Sequence, residues 1–343
     1  MSRNSAPRGR AAAVVVNWNS GADLGACLDA IAGQREPFAE VVVVDNGSTD
    51  GSAEAARERG VRLIALPQNL GYGAANNQGI AGTRGELVAL INPDVRLDPG
   101  WLGRARAALE ADPGAGQCAG KVLHLDDPSR IENTGHLLFP DGLNRARSRN
   151  APDNGGPDAL GPPLFASGCA ALYRRSALEA VGGLCEELFA YGDDAELGLR
   201  LRLAGWGCAY ASQAVAHHRL SGAAGRWSAD KAYLVERNRL WVLARTFPAG
   251  SLLMSPLFTA ARHALQAAGA LSGRGAAGRF VGQHSRGDLL RVLVRAYAHG
   301  LAGLPRQRVL RRRIRRGRPW PDLEFYGWLW RHRAGLVDVA LGE

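Results

Sequence analysis

The chain has 343 residues, 46% of them hydrophobic and 22% charged, with a formal net charge of +10. That balance excludes a disordered chain and allows one large domain with an appendage, or two modest domains. The cysteines (Cys27, Cys118, Cys169, Cys185, Cys208) are scattered without a CxxC pair. This argues against a disulfide framework or structural zinc site and for a reducing compartment. No run of uncharged apolar residues is long enough for a membrane-spanning helix. Residues 1–219 carry 21 Lys and Arg against 25 Asp and Glu, whereas residues 220–343 carry 21 against 7. The C-terminal third is therefore the basic part and points to an anionic partner, a membrane surface or nucleic acid.

A basic N-terminus leads into Ala-Ala-Ala-Val-Val-Val, which could pass for a signal peptide. The apolar run meets Asn17-Trp18-Asn19 too soon for that, so a buried first strand is expected. Strands are predicted over 13–17, 41–45, 61–66 and 87–91, with helices between them over 22–32, 52–59 and 74–81. Continuous apolar strands alternating with helices predict an α/β fold with a parallel sheet covered on both faces. A helix follows over 101–111, a strand near 117–123 and a strand-like stretch over 165–173. Residues 141–163, rich in Pro, Gly, Asp, Asn and Arg, read as a mobile surface loop, either a lid or binding loop or plainly disordered. A helix over 195–204 is stopped by Gly205.

Beyond about residue 230 the pattern is helical and amphipathic. Residues 288–297 set Leu289, Leu290, Leu293 and Val294 against Arg291 and Arg295. Residues 306–318 hold eight arginines in thirteen positions, followed by Trp320, Phe325, Tyr326, Trp328 and Trp330. Basic residues interleaved with aromatics fit a helix lying on an anionic bilayer. RNA binding by charge and stacking fits the same composition, as does a solvated basic helix packed on the core.

Five places offer chemistry. Leu87–Ile91 runs into Asn92-Pro93-Asp94; Pro93 stops the strand and leaves Asp94 on a stiff corner beyond its carboxyl end. Ligands gather at such ends in open α/β sheets, and a carboxylate there suits Mg²⁺ or Mn²⁺ bridged to phosphates, although the tripeptide is also ordinary turn chemistry. Asp45-Asn46-Gly47-Ser48-Thr49-Asp50 caps the next helix and places Asp45 where it can accept a pyrimidine imide N–H. The stretch Asn69 to Gly79 opens a helix with small residues and amides, as phosphate sites do, yet Asn76 breaks the G-x-G-x-x-G dinucleotide fingerprint. Tyr191-Gly192-Asp193-Asp194-Ala195-Glu196 places acids in the first turn of the helix carrying Arg200. That is either dipole and i,i+4 chemistry or a general base, Asp194, with neighbouring carboxylates raising one pKa. Val215-Ala216-His217-His218 adds imidazoles beyond a strand end, as structural residues or as metal or phosphate contacts.

Taken in order, these motifs, together with Ser167-Gly168-Cys169-Ala170-Ala171-Leu172 and the run from Asp193 to Arg200, resemble glycosyltransferase family 2 with the GT-A fold. The resemblance is to its rhamnosyltransferase-like branch, spans residues 11–245, and sets a transferase domain of 1–245 against a basic helical extension of 246–343. It implies a metal-dependent inverting transferase that builds cell-wall or surface glycans. Its donor is a dTDP- or UDP-linked sugar, with dTDP-rhamnose favoured, and its acceptor a glycan or polyprenyl-linked hydroxyl. Asn17 and Asp45 would hold the nucleoside, Asn69, Gly71 and Asn76 would line the diphosphate side, and Asn46 and Asn92 would also contact the nucleotide sugar. Asp94 would carry the metal, with His217 as the favoured histidine. Asp194, paired with Asp193, would be the catalytic base. Arg200 would steady phosphate or the acidic cluster, and Ser167 and Gly168 would floor the sugar site. Three positions depart from the fuller motifs: Asn92 stands where a first DxD carboxylate would be, Asp193 where Glu is usual, and Glu196 where Asp is common.

The rival enzyme reading is a nucleotidyltransferase, but Asn17-Trp18-Asn19-Ser20-Gly21 lacks the basic residue its first loop needs. A degenerate membrane- or RNA-binding module is the other alternative. The expectation is a cytoplasmic enzyme, peripheral at the inner face of the plasma membrane, with no nucleic acid partner.

Overall fold

In the first ninety residues, β-branched and aliphatic runs form strands because their side chains pack on a pleated surface and crowd a helix. The computed structural model describes residues 10–219, 228–315 and 322–342. Its opening elements are β1 (Ala11–Asn17), α1 (Asp23–Ala32), β2 (Glu40–Asp45), α2 (Glu54–Glu58), β3 (Arg62–Ala65), α3 (Tyr72–Ala81) and β4 (Leu87–Ile91). The four strands are parallel in the order β3-β2-β1-β4. Every residue of β1 and β4 is buried, because α1 packs on one face through Leu24, Cys27, Leu28 and Ile31, and Ala75 of α3 meets Val16, Val42 and Val44 on the other.

β5 (Val95–Leu97), α4 (Trp101–Ala111), β6 (Ala115–His124), β7 (Ile131–Asn133), β8 (His136–Leu138), β9 (Asn144–Ala146), β10 (Ala170–Arg174), α5 (Arg175–Val181), α6 (Asp193–Leu203) and β11 (Gly207–His218) follow. The second half of the sheet is mixed. β10 lies antiparallel between β4 and β6, β11 runs parallel to β6, and β5 closes the edge antiparallel to β11.

Residues 141–163 are not the free loop expected from their composition. β8 and β9 pair as an antiparallel hairpin, and Asp141 is fully buried. The segment's polar residues satisfy one another and their neighbours instead of water. Arg147 donates to Thr134 and the Gly161 carbonyl, and Lys121 holds both Asp153 and Asp158.

The remaining helices are α7 (Ala229–Thr246), α8 (Ala249–Ser272), α9 (Gly275–Gln283), α10 (Arg286–Ala302), α11 (Leu304–Arg315), α12 (Asp322–Arg331) and α13 (Leu336–Leu341). Residues 1–9, Arg316, Arg318 and Trp320 lie outside the described residues. The position 245/246 falls at the end of α7, yet Val242, Leu243, Phe247, Phe325 and Trp328 share one apolar cluster with Leu138, Phe165, Leu188 and Leu199. A buried ionic knot reinforces that seam. Arg262 of α8 is fully buried, with Nε 2.7 Å from Asp141 Oδ2 and Nη1 2.6 Å from Glu236 Oε1. Among the described residues no helix is long and apolar enough to cross a membrane.

Candidate active site

At the carboxyl ends of β1 and β2, Asn17 and Asp45 stand in register. The fully buried Asn17 shares its amide between Asp45 Oδ1 at 2.9 Å, Ser48 at 3.1 Å and Ser52 at 2.9 Å. Asp45 is thereby fixed at the mouth of the sheet. Asn46 ties the next turn to it, donating to Asn69 Oδ1 at 2.9 Å and the Gly71 carbonyl at 3.3 Å while accepting from Leu70 N at 2.8 Å. Asn69 in turn accepts from Gly71 N.

Gly71 has φ +89° and ψ 167°, a region open in practice only to glycine. A Cβ there would lie 2.4 Å from the Phe189 carbonyl oxygen. That absence of a side chain lets Tyr72 N donate to Phe189 O and brings α3 against the loop leading into α6. The Tyr72 hydroxyl then donates to the Gly168 carbonyl at 2.6 Å. Asn76 is buried, its amide donating to the Tyr72 carbonyl one turn back in α3.

The corner after β4 forms as read from the sequence: Val95 N donates to the Asn92 carbonyl across Pro93-Asp94, and Asn92 N donates to Cys169 O. The histidine that meets Asp94 is His218, not His217. Successive strand residues face opposite sides, so His217 turns to Asp98, with Nε2 3.1 Å from Oδ1. His218 brings Nε2 within 3.2 Å of Asp94 Oδ1, and its Nδ1 lies 2.6 Å from Glu132 Oε2. Burial opposes a charged ring here, but Asp94 and Glu132 outweigh it and raise the His218 pKa well above its ordinary value.

The donor set fits a divalent cation that would take the place of the His218 Nε2 proton, since a ligating imidazole is neutral. Asp94 and His218 Nε2 converge, and a carboxylate on the far ring nitrogen is the usual orienting partner of a metal-bound imidazole. Among the described residues no third His, Cys, Asp or Glu joins them. Phosphate oxygens and water would complete the shell, as Mg²⁺ and Mn²⁺ commonly require.

Across the Ser167–Cys169 segment lies the acidic pair at the start of α6. Asp194 Oδ2 is 3.0 Å from His136 Nε2, while its Oδ1 accepts Ala195 N at 2.8 Å and Asn144 Nδ2 at 3.4 Å. Gly168 N approaches Oδ2 at 3.5 Å. Burial pushes the Asp194 pKa up, but His136 and the two backbone N–H groups overcome it and hold the group below the ordinary carboxylate value. Asp193 goes the other way. Burial and the Asp194 charge raise it to about 8, and its Oδ1 has no hydrogen-bond partner. Near neutrality Asp194 is an anion and Asp193 a neutral acid.

Ser167 bonds only locally, to Cys169. Of the two expectations for Arg200, it meets the second. Its guanidinium donates to Glu196 and to the Val181 and Gly183 carbonyls, steadying the acidic cluster. Glu132, His136, Asn144 and Tyr72 belong to the site and escaped the sequence reading. Glu132, His136 and Asn144 sit in a region without a motif, and only folding brings them to Asp94 and Asp194.

The model of the family "Glycosyl transferase family 2" matches residues 12–182. The N-acetylglucosaminyl-diphospho-decaprenol L-rhamnosyltransferase of Mycobacterium tuberculosis is 33% identical over 237 residues, 62% of this chain and 77% of the relative. Among solved structures, the mannosyltransferase PcManGT from Pyrobaculum calidifontis, in complex with GDP-Man and Mn²⁺, superposes with a TM-score of 0.52 at 18% identity. That match covers 95% of this chain and 82% of the other. GalNAc-T7 with UDP, GalNAc and Mn²⁺ gives a TM-score of 0.60 at 12% identity over 76% of this chain and 51% of the other. Both neighbours are GT-A glycosyltransferases, and they establish the fold. The chain belongs to glycosyltransferase family 2 and acts on a nucleotide sugar.

Proposed function

We propose that the enzyme moves a sugar, rhamnose first among the candidates, from a dTDP- or UDP-linked donor to a hydroxyl of a glycan or polyprenyl-linked acceptor in cell-wall or surface polysaccharide synthesis, with inversion. One observation carries the reading: the Asp94–His218–Glu132 corner and the Asp194 anion flank the same short segment, Ser167–Cys169. Asn17 and Asp45 would bind the nucleoside, and Asn46, Asn69 and Gly71 shape the turn beside the diphosphate. Asp94 and His218 would hold Mg²⁺ or Mn²⁺, which offsets charge developing on the leaving diphosphate. Asp194 takes the proton from the acceptor hydroxyl as its oxygen bonds to the anomeric carbon from the opposite face. The bond from that carbon to the diphosphate breaks, and its electron pair leaves with the nucleoside diphosphate.

The C-terminal helices support a peripheral position on an anionic membrane. Of sixteen exposed large hydrophobic residues among those described, twelve lie beyond residue 246. Leu290, Val294 and Leu301 recur along α10, and Trp330 is 74% exposed. Apolar side chains standing out of a surface with a large excess of arginine match the interface of an acidic bilayer.

The test is a screen of dTDP- and UDP-sugars for binding and slow hydrolysis, with and without Mn²⁺. The expected result is one donor recognised with Mn²⁺, lost in Asp94→Ala. Donor affinity unchanged by both metal removal and Asp94→Ala would refute the metal assignment. Absence of any donor would refute the reading of the nucleotide pocket.

A further inference from the structure

His136 and Asp194 meet at 3.0 Å with their side chains 12% and 17% exposed. The imidazole is held from three directions. It stacks on Phe165 with centroids 5.6 Å apart and planes 17° from parallel. Its backbone N–H donates to the Phe165 carbonyl at 3.1 Å. Its Nδ1 lies 3.1 Å from Asn144 Nδ2, across the β8–β9 hairpin. An amide nitrogen only donates, so Nδ1 is the acceptor in that contact. The ring proton of the neutral imidazole then sits on Nε2, which comes within 3.0 Å of Asp194 Oδ2 as a close ionic approach without the alignment of a hydrogen bond.

We propose that His136, with its tautomer fixed by Asn144, is the positioning residue that holds Asp194 ionised and aimed at the acceptor hydroxyl. The inference rests on Asp194 being the base. Four donors approach its carboxylate, and two of them are long, Asn144 at 3.4 Å and Gly168 N at 3.5 Å. An incoming hydroxyl can displace a long contact while Ala195 N keeps its 2.8 Å bond and His136 stays within ion-pair distance. The other groups facing the acidic pair are Glu196 on α6, the Tyr72 and Tyr173 hydroxyls from α3 and β10, and Arg237 from α7, which acts on Asp193. Among the described residues His136 is the only imidazole within ion-pair distance of Asp194. Without it, burial would be opposed only by the Ala195 and Gly168 N–H groups and would favour the protonated form of Asp194.

The test is the pH profile of kcat/KM for His136→Ala and His136→Gln, beside Asp194→Asn and wild type, with nucleoside diphosphate binding in Mn²⁺ as a control. His136→Ala is expected to lose about 10- to 100-fold in turnover and to move the acid limb up by roughly one pH unit. Its nucleotide affinity should stay unchanged. His136→Gln, whose amide can still donate to the carboxylate, should recover most of the turnover and the wild-type limb. Equal losses in both variants with an unmoved acid limb would show a packing role and overturn the proposal, as would a wild-type profile in His136→Ala. If Asp194→Asn itself turned over normally, the assignment of the base would fall instead. Should His136→Ala not fold, the limb of His136→Gln against that of His136→Leu decides.

Discussion

Replacing Gly71 by alanine tests the contact that joins the start of α3 to the loop leading into the Asp193-Asp194 pair. Two costs add. At φ +89° and ψ 167° an alanine occupies a region costing about 1–3 kcal/mol. Its Cβ would also stand 2.4 Å from the Phe189 oxygen and 2.7 Å from its Cα, both backbone atoms that cannot swing aside. Forcing such an overlap typically costs about 1–3 kcal/mol more. The sum is roughly 2–6 kcal/mol, a large share of the ~5–15 kcal/mol that holds a domain. Gly155→Ala is a backbone-only reference: its φ +80° and ψ −15° lie in the left-handed helical region with nothing within 4 Å of the new Cβ, so about 1–2 kcal/mol is expected. Urea unfolding of both variants, with the slope checked against wild type, measures the difference. Because Phe189 leads directly into Gly192-Asp193-Asp194, the folded fraction of Gly71→Ala should also lose turnover. A Gly71→Ala protein as stable as Gly155→Ala would refute the packing argument.

Two further outcomes follow from the charges. Asp194→Asn should lose on the order of 10²- to 10⁴-fold in turnover with donor binding kept, whereas Asp193→Asn should stay within about tenfold because Asp193 is already uncharged near neutrality. Asp193 also burdens the fold. Its pKa is raised from 3.8 to about 8, so its contribution to stability is whole below about pH 4 and lost as pH climbs through 8. Unfolding free energies between those limits should fall less steeply in Asp193→Asn. Glu236 has the opposite sign. Burial would raise its pKa, yet Arg262 and Arg239 hold it at about 2, below the usual 4.5. That contribution, roughly 3 kcal/mol, is present above pH 4.5 and disappears as pH falls toward 2. Arg262→Met should cost about 3–5 kcal/mol at pH 7 by stranding buried carboxylates, softened by Arg239, and should shift acid unfolding to higher pH. An unchanged acid midpoint would refute the pairing.

The parallel half of the sheet was legible because its strands are continuous apolar runs and its helices fall between them. Pro93 marked the corner after β4 for the same local reason. What the sequence hid is set by long-range contact. Composition made residues 141–163 look solvated, yet Asp141 is buried because Arg262, more than a hundred residues later, comes to meet it. The choice between two adjacent histidines turned on strand parity, which depends on how β11 registers with β5: His218 opposes Val95 and His217 opposes Arg96. The acidic pair was visible, but the division of labour within it was not. Asp194 gains His136 from another strand, while Asp193 gains burial and a repulsive neighbour.

The same logic bears on the C-terminal third. Phe189, Tyr191 and Gly192 have φ values of +69°, +67° and +81°, and two of these residues are not glycines. Strain of about 1–3 kcal/mol per residue persists only where surroundings over-determine the conformation. Here the surroundings are α7. The Asn238 amide donates to the carbonyls of Leu188, Ala190 and Tyr191 at 2.9, 2.7 and 2.7 Å. Arg237 adds a bond to Leu188 O, and Arg245 holds Glu187 and Glu196 on either side of the loop. The loop that presents Asp193 and Asp194 is therefore kept in shape by a helix whose opposite neighbours are α10 and α11. Trp241 donates from α7 to the Gly300 carbonyl on α10, and Arg311 of α11 donates to Ala244 O. The basic helices and the loop before α6 thus share one support, α7, and a change in either is carried to the other through it.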